Sequence, residues 1–148
     1  MHDAANQHRI IRLAGFFAPP ADAADAAAAA EKHAALRRIW EAYGDSWSPS
    51  ANVAALLSAH MAEDVSFATP DAQGHTRGAV QKMVEGFQPT FPGATIPTRT
   101  FYSNHGGSLA LWDIKDATGN VIAPGFTYAR YEREEGKRIV QLAGFWKL

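Results

Sequence analysis

The sequence predicts an α+β domain in which a curved antiparallel sheet wraps around three helices, as a cone-shaped α+β barrel with a cavity inside. Two observations predict this class. The first half of the chain contains segments whose apolar residues recur at steps of three and four, which is typical of amphipathic helices. The second half consists of threonine- and aromatic-rich segments separated by short turns, which is typical of β-hairpins. Helices followed by hairpins favour an α+β layout over a parallel βαβ fold.

The composition fits one globular domain and excludes several classes of function. The chain has 148 residues, of which 47% are hydrophobic, and it has no cysteine. The length is that of a single domain, and the lack of cysteine excludes disulfides, thiolate metal sites and cysteine nucleophiles. With 14 basic and 15 acidic side chains the net charge is −1. No basic excess therefore indicates a nucleic-acid partner, and no apolar run approaches the ~20 residues of a membrane span.

The N-terminus bears on localisation. Ile10–Ala21 has the length of a signal-peptide core, but Arg12 interrupts it and Pro19 and Pro20 follow within it. We therefore expect a cytoplasmic protein with no membrane partner, and export is the less favoured alternative.

Two parts are expected along the chain, an N-terminal extension (residues 1–34) and a main domain (residues 35–148). Within the extension, the alanine-rich tract Ala21–Ala35 favours a helical arm, with a disordered linker as the alternative. The extension also contains RIIRLAGFF (Arg9–Phe17), which matches RIVQLAGFW (Arg138–Trp146) at six of nine positions. This repeat favours an extra N-terminal strand, because sheet edges accept such additions; a relic of gene duplication is the alternative.

Three helices are expected in the main domain, each with one apolar face. The first carries Leu36, Ile39, Trp40, Tyr43 and Trp47. The second begins after the cap residue Asn52 and carries Val53, Leu56, Leu57, His60 and Met61. The third follows Gly78 and carries Val80, Met83, Val84, Phe87 and Phe91.

The expected strands are Val65–Ala68, Thr95–Ser103, Ser108–Lys115, Val121–Arg133 and Lys137–Lys147. Pro97 predicts an edge position for the second of them, because proline has no N–H to donate to a neighbouring strand. Pro124 and Gly125 predict a bulge or bend in the fourth.

Two segments carry more specific signatures. In MAEDVSFATPDAQGHTRGAVQKMVEGF (Met61–Phe87) an acidic pair precedes a strand, and a proline-containing loop then leads into a helix. In Asn104–Trp146 a histidine precedes a strand ending in tryptophan, and an Asp-x-x-Gly turn and a final Gly-Phe-Trp follow. These features resemble the SnoaL-like proteins of the nuclear transport factor 2-like superfamily over residues 36–148. The resemblance implies a cone fold, a homodimer and a pocket for a small organic molecule in the mouth of the cone.

Members of that superfamily include polyketide cyclases, ketosteroid isomerases, dehydratases, epoxide hydrolases and proteins without known activity. Its isomerases use a carboxylate base after the first strand and a protonated acid deeper in the pocket. The resemblance places these positions at or near Thr69 and Thr127, and Tyr43 as a phenol donor. Threonine is not a carboxylic acid, so steroid-type isomerase chemistry is disfavoured. Its epoxide hydrolases need an Asp-Arg-Asp group, for which the available residues are Arg99, Asp113 and Asp71.

His105 is the leading candidate for proton transfer, because an imidazole titrates near neutrality and this residue matches the family histidine. Its alternative interpretation is a solvated turn residue in Asn-His-Gly-Gly. His60 lies on an apolar stripe and is more often a hydrogen-bonded core residue. His75 is more often a surface residue. No spacing of these histidines is typical of a metal site, so no metal is expected.

The remaining candidates form the wall of the expected pocket. They are Trp40, Trp47, His60, Phe67, Thr69, Met83, Phe87, Trp112, Thr127 and Phe145. If Thr127 faces inward, strand alternation places Tyr128 outward. Tyr128 and Trp146 are then candidates for a dimer interface.

The leading functional hypothesis is an enzyme that acts on a small, largely apolar or aromatic molecule by acid/base chemistry, without a cofactor. Cyclisation, isomerisation and dehydration all fit, with His105 and Tyr43 as catalytic residues. A non-catalytic ligand-binding or dimeric interaction module is the alternative, and an epoxide hydrolase is a weaker one.

Overall fold

The structure is a computed structural model that describes residues 13–16, 23–133 and 138–147. Its helices are α1 (Ala23–Asp45), α2 (Val53–His60), α3 (Arg77–Glu85) and the single turn α4 (Phe87–Thr90). Its strands are β1 (Met61–Ala68), β2 (Gln73–Gly74), β3 (Thr98–Asn104), β4 (Gly107–Lys115), β5 (Val121–Tyr131) and β6 (Ile139–Trp146).

The strands form one curved, unclosed sheet in the order β2-β1-β6-β5-β4-β3, which confirms the predicted α+β class. One strand pair departs from the expected antiparallel sheet: β1 runs parallel to β6, and all the other described pairs are antiparallel. The reason is connectivity. Hairpins join β3 to β4 and β4 to β5 and force them antiparallel, whereas β1 and β6 are joined only through the rest of the domain.

Helix α1 is longer than the predicted first helix. It begins at Ala23, so the expected helical arm and the first amphipathic segment form one helix across residues 34 and 35. The arm is largely exposed, but His33 attaches it to the sheet through a 2.8 Å hydrogen bond between Nδ1 and Oγ of Ser103. The His33 ring also lies edge-on to Phe101 with centroids 5.2 Å apart. The helix ends at Asp45, so Trp47 lies in the following turn.

Two helix starts are set by side-chain caps. Oδ1 of Asn52 accepts from the backbone N–H of Ala55 at 3.1 Å, which confirms the expected cap of α2. Helix α3 was expected to follow Gly78 but begins at Arg77 and includes this glycine, because Oγ1 of Thr76 accepts from the backbone N–H of Ala79 at 3.1 Å.

The prediction about Pro97 is confirmed, because β3 is an edge strand of the sheet. The expected bulge at Gly125 is wrong. Strands β4 and β5 pair without interruption from Gly107 with Arg130 to Ile114 with Ala123, and the register shifts only beyond Ile114. Gly125 instead makes room for the Trp112 ring on the inner face of the sheet.

The N-terminal repeat is only partly described. Leu13–Phe16 has no strand conformation, so the expected extra strand is absent from this stretch; Arg9–Arg12 and Phe17 lie outside the described residues. No helix in the described part of the chain is long and apolar enough to cross a membrane.

Candidate functional site

A cavity of about 420 Å³ lies between the inner face of the sheet and helices α1, α3 and α4. The helical side contributes Trp40, Tyr43, Trp47, Met83, Phe87 and Phe91. The sheet side contributes Phe67, Thr98, Trp112, Ile114, Thr127, Leu142, Gly144 and Trp146. The helical wall is mostly aromatic and the sheet wall adds three aromatic rings and two aliphatic side chains, so the interior is suited to apolar surface.

The aromatic side chains of the helical wall form a continuous chain of ring contacts. Trp40 contacts Tyr43, Tyr43 contacts Trp47, and Trp47 contacts Phe87, with ring centroids 5.3, 6.3 and 5.5 Å apart. Phe87 in turn contacts Phe91 at 5.5 Å. On the opposite wall, Trp112 and Trp146 lie with centroids 5.7 Å apart. Rings packed in this way hold one another in place, so both walls are preformed.

Two glycines make room for the indoles on the sheet wall. A Cβ atom added at Gly125 would lie 2.2 Å from Cη2 of Trp112, and one added at Gly144 would lie 2.6 Å from Cζ3 of Trp146. Each ring therefore lies directly against backbone that carries no side chain. Because the rings lie this close to the sheet, they leave the space above them open.

Two indole N–H groups donate to hydroxyl groups of cavity-lining residues, and a third tryptophan side chain lies beside the phenol of Tyr43. Trp40 Nε1 donates to Oγ1 of Thr98 at 2.8 Å, and Trp112 Nε1 donates to Oγ1 of Thr127 at 2.9 Å. The side chain of Trp47 hydrogen-bonds the phenol of Tyr43. Within the described part of the chain, no protein acceptor contacts the hydroxyl hydrogens of these two threonines or of Tyr43. All three hydroxyls thus retain a donor for a ligand.

Tyr43 remains a neutral phenol over the physiological pH range. Burial raises the pKa of its hydroxyl well above the ordinary value, and the hydrogen bond with Trp47 offsets this only in part. The group can therefore donate a hydrogen bond, and its proton is held too tightly for it to act as a base.

Two charged residues that border the cavity, Asp71 and Lys82, are themselves exposed. Asp71 lies in the turn after β1, which Thr69 closes by hydrogen bonds of 3.1 Å with the backbone of Ala72. Neither charge forms an ion pair with another described residue. Both were missed as pocket residues from the sequence, since Lys82 has no distinguishing pattern and Asp71 was considered only for an Asp-Arg-Asp group.

The structure brings most of the expected pocket residues together. Those that line the cavity are Trp40, Tyr43, Trp47, Phe67, Thr69, Met83, Phe87, Trp112 and Thr127. His60, His105 and Phe145 are not among the lining residues. His60 is the half-buried last residue of α2.

The position of His105 corrects the expectation that it would line the pocket. It is exposed in the two-residue turn between β3 and β4, with a φ of 30°, and Gly106 follows with a φ of 85°. Consecutive positive φ angles are what a tight hairpin turn requires. This geometry matches the alternative interpretation, a solvated turn residue.

Phe145 and Trp146 have exchanged their expected roles. Thr127 is buried and faces inward, as the resemblance implied, and its partner across the ladder is Gly144. Alternation then places Trp146 inward with Gly144, and Phe145 outward, where it is exposed. The sequence shows that Gly144 and Trp146 share a face, because they are two residues apart, but it does not show which face points inward.

The Asp-Arg-Asp group of an epoxide hydrolase is not assembled in the cavity. Arg99 and Asp113 form an ion pair with 3.3 Å between Nε and Oδ2, but only Asp71 of the three lines the cavity. Asp113 lies between the inward-facing Trp112 and Ile114, so its side chain is on the opposite face of β4. Within the described ranges, no group of three or more metal-ligating side chains is clustered.

Comparison with known proteins identifies the fold. No protein-family model and no curated protein matches the sequence at a significant level. The structure matches a candidate isomerase of the SnoaL-like family from Agrobacterium tumefaciens str. C58, with a TM-score of 0.69, 22% identity, and coverage of 80% of this chain and 99% of that one. It also matches a candidate SnoaL-like polyketide cyclase from Jannaschia sp. CCS1, with a TM-score of 0.63, 7% identity, and coverage of 76% and 84%.

A third match is a protein with a ketosteroid isomerase-like fold from Catenulispora acidiphila DSM 44928, solved in complex with trimethylamine. Its TM-score is 0.59 and its identity 15%, and the match covers 74% of this chain and 85% of that one. The chain therefore has the SnoaL-like, nuclear transport factor 2-like fold. At these identities the likeness establishes the fold and leaves the activity to the site itself.

Proposed function

We propose that the cavity binds a small, largely apolar organic molecule that carries at least one oxygen acceptor, such as a ketone or quinone. The observation that carries this proposal is the set of three hydroxyls, on Tyr43, Thr98 and Thr127, whose hydrogens have no acceptor within the described residues. A hydroxyl that already accepts from an indole is polarised to donate. A carbonyl oxygen between such groups would satisfy donors that are otherwise unpaired.

The size and walls of the cavity support the same class of ligand. A volume of about 420 Å³ lies within the range of small-molecule pockets, and aromatic walls favour a flat, apolar body. Charged groups occur only among the exposed lining residues, so a ligand with a central charge would lose its hydration without gaining a partner.

A second candidate function is proton transfer on that ligand, and the presence of Asp71 in the lining favours it. A carboxylate there would remove a proton from the carbon beside the carbonyl, and the C–H electron pair would move toward the carbonyl oxygen. The hydroxyl donors would stabilise the resulting enolate oxygen. If the ligand is a β,γ-unsaturated ketone, this species is a dienolate; Asp71 would then return the proton to the γ-carbon, while the double bond moves to the α,β position and the carbonyl re-forms. This step is an isomerisation that needs no cofactor, and in it Asp71 takes the proton-transfer role that the sequence suggested for His105.

The proposed recognition is tested with a pair of ligands that differ only in the carbonyl, 9-fluorenone and fluorene. Each is titrated into the wild type, Thr127→Val and Thr127→Ser, with intrinsic tryptophan fluorescence as the readout. We expect fluorenone to bind more tightly than fluorene to the wild type. Thr127→Val should reduce that difference about fivefold, the equivalent of about 1 kcal/mol for one hydrogen bond, and Thr127→Ser should retain it.

Equal affinities of the wild type for the two ligands would contradict the acceptor requirement. Thermal unfolding of each variant provides the control, because valine also leaves the Trp112 N–H without its acceptor. Asp71→Asn tests the second candidate separately. It should leave fluorenone binding unchanged and abolish exchange of deuterium from water into an enolisable ketone such as 2-tetralone.

A further inference from the structure

The outer face of the sheet carries exposed aromatic side chains that have no role in the cavity. Phe126 on β5 and Phe145 on β6 are cross-strand partners, and their rings stack at a centroid distance of 5.0 Å. They are 46% and 51% exposed. An aromatic patch of this kind is typical of a surface that another segment or another molecule covers.

The described N-terminal segment reaches the neighbouring part of this face. The Phe16 ring lies edge-on to Tyr128 with centroids 6.2 Å apart, and Nδ2 of Asn104 donates a hydrogen bond to the carbonyl oxygen of Gly15. Tyr128 and Phe126 are two residues apart on β5 and therefore project from the same face. The segment thus contacts the strand that carries the exposed pair.

The same four-residue sequence occurs in the N-terminal segment and in β6. Leu13–Phe16 reads Leu-Ala-Gly-Phe, and Leu142–Phe145 on β6 reads the same. In both copies the final phenylalanine packs on an outward-facing aromatic of β5: Phe145 on Phe126, and Phe16 on Tyr128. The two copies occupy successive aromatic positions of one strand, although only the second copy is part of the sheet.

We propose that Leu13–Phe16 is an intramolecular cover for the part of the outer face around Tyr128, beside the exposed Phe126–Phe145 pair, and that it limits association of this face with a second copy of the chain. The Phe16 ring occupies the apolar surface beside the stacked pair, and the hydrogen bond from Asn104 holds the backbone of the segment. A second copy would have to displace this segment to pack on the full face. The cover acts on the surface opposite the cavity, so the proposal does not depend on the identity of a ligand.

The test is the self-association of the full chain, measured by sedimentation velocity over a concentration series. Phe16→Ala removes the ring that packs on Tyr128 and so exposes a larger apolar surface; we expect it to lower the dimer dissociation constant on the order of tenfold. Leu13→Ala is the matched control, because Leu13 belongs to the same segment but is 88% exposed. It should behave as the wild type. Adding Phe145→Asp to Phe16→Ala should abolish the gained association, because a charge then lies in the patch.

Unchanged or weaker association of Phe16→Ala would overturn the proposal. Whether the Phe16–Tyr128 contact forms within one chain or between two chains is measured by nuclear Overhauser effects between the two rings in a mixture of differently labelled chains. We expect the contact within one chain at all concentrations. A contact found only between chains would mean that the segment bridges two copies, which would also overturn the proposal.

Discussion

The two faces of the sheet formed by β4, β5 and β6 both carry paired aromatic side chains but use them differently. On the inner face, the Trp112 and Trp146 rings lie against glycine backbone, and the Trp112 N–H has a hydroxyl partner. On the outer face, Phe126 and Phe145 stack on each other and remain about half exposed. The difference shows that aromatic content alone does not mark a pocket. A pocket also needs space beside the rings, and here two glycines provide it.

Among substitutions on the two faces, adding one methyl group at Gly125 should cause the largest loss of stability and of ligand binding. In Gly125→Ala the new Cβ overlaps the Trp112 ring, which must move into the cavity and stretch its hydrogen bond to Thr127. We expect a loss of about 3 kcal/mol in the free energy of unfolding, together with loss of ligand binding. The outer-face substitution Phe126→Ala removes a whole ring but should cost less, because that ring is already 46% exposed. Urea unfolding compares the two, and a greater loss in Phe126→Ala would contradict this account.

The buried phenols on the inner side of the sheet should give a pH dependence of intermediate size. Burial raises the folded-state pKa of Tyr43 and of Tyr131 above the ordinary value of 10.0. Their stabilising contribution is therefore complete below pH 10 and is lost as the pH rises toward the folded-state values. We expect the free energy of unfolding to fall by about 1.4 kcal/mol per pH unit for each phenol. Urea unfolding between pH 9 and 11.5 measures this slope.

Two phenylalanine variants distinguish how much each phenol contributes to the slope of the free energy of unfolding against pH. Tyr43→Phe and Tyr131→Phe should each remove about half of the slope that the pair produces. A slope equal to that of the wild type in both variants would mean that neither phenol is responsible. Tyr131→Phe also removes the 2.7 Å hydrogen bond with Ser108, so its stability at neutral pH should fall, and only the slope is compared.

The turn residue His105 belongs to neither face and should show the smallest effect. Asparagine tolerates positive φ better than histidine and forms the Asn-Gly pair that tight hairpins prefer. We expect His105→Asn to raise the free energy of unfolding by roughly 0.5 kcal/mol and to leave fluorenone binding unchanged. Weakened binding in this variant would restore His105 as a candidate for the site.

Much of the fold and most of the cavity wall could be predicted because they depend on local periodicity. The stripe from Leu36 to Trp47 and the alternation in β4 assign a buried face to each element without reference to its neighbours. The roles of Phe145 and Trp146 were exchanged because a strand of aromatic residues has two plausible faces. Only the pairing of Gly144 with Thr127 fixes which face is inside. His105 was expected in the site because an imidazole can transfer protons near neutral pH. That property does not determine where the side chain lies in the fold.

Local sequence patterns were enough to predict the α+β class, the order of helices before hairpins, the edge position of β3 and the Asn52 cap of α2, because each depends on residues close together in the chain. Three features became clear only from the folded chain: β1 pairs parallel to β6, Gly125 accommodates an indole, and Asp71 and Lys82 border the cavity. These features join residues far apart in sequence. Their geometry follows from how the sheet curves around the helices, which no local pattern records.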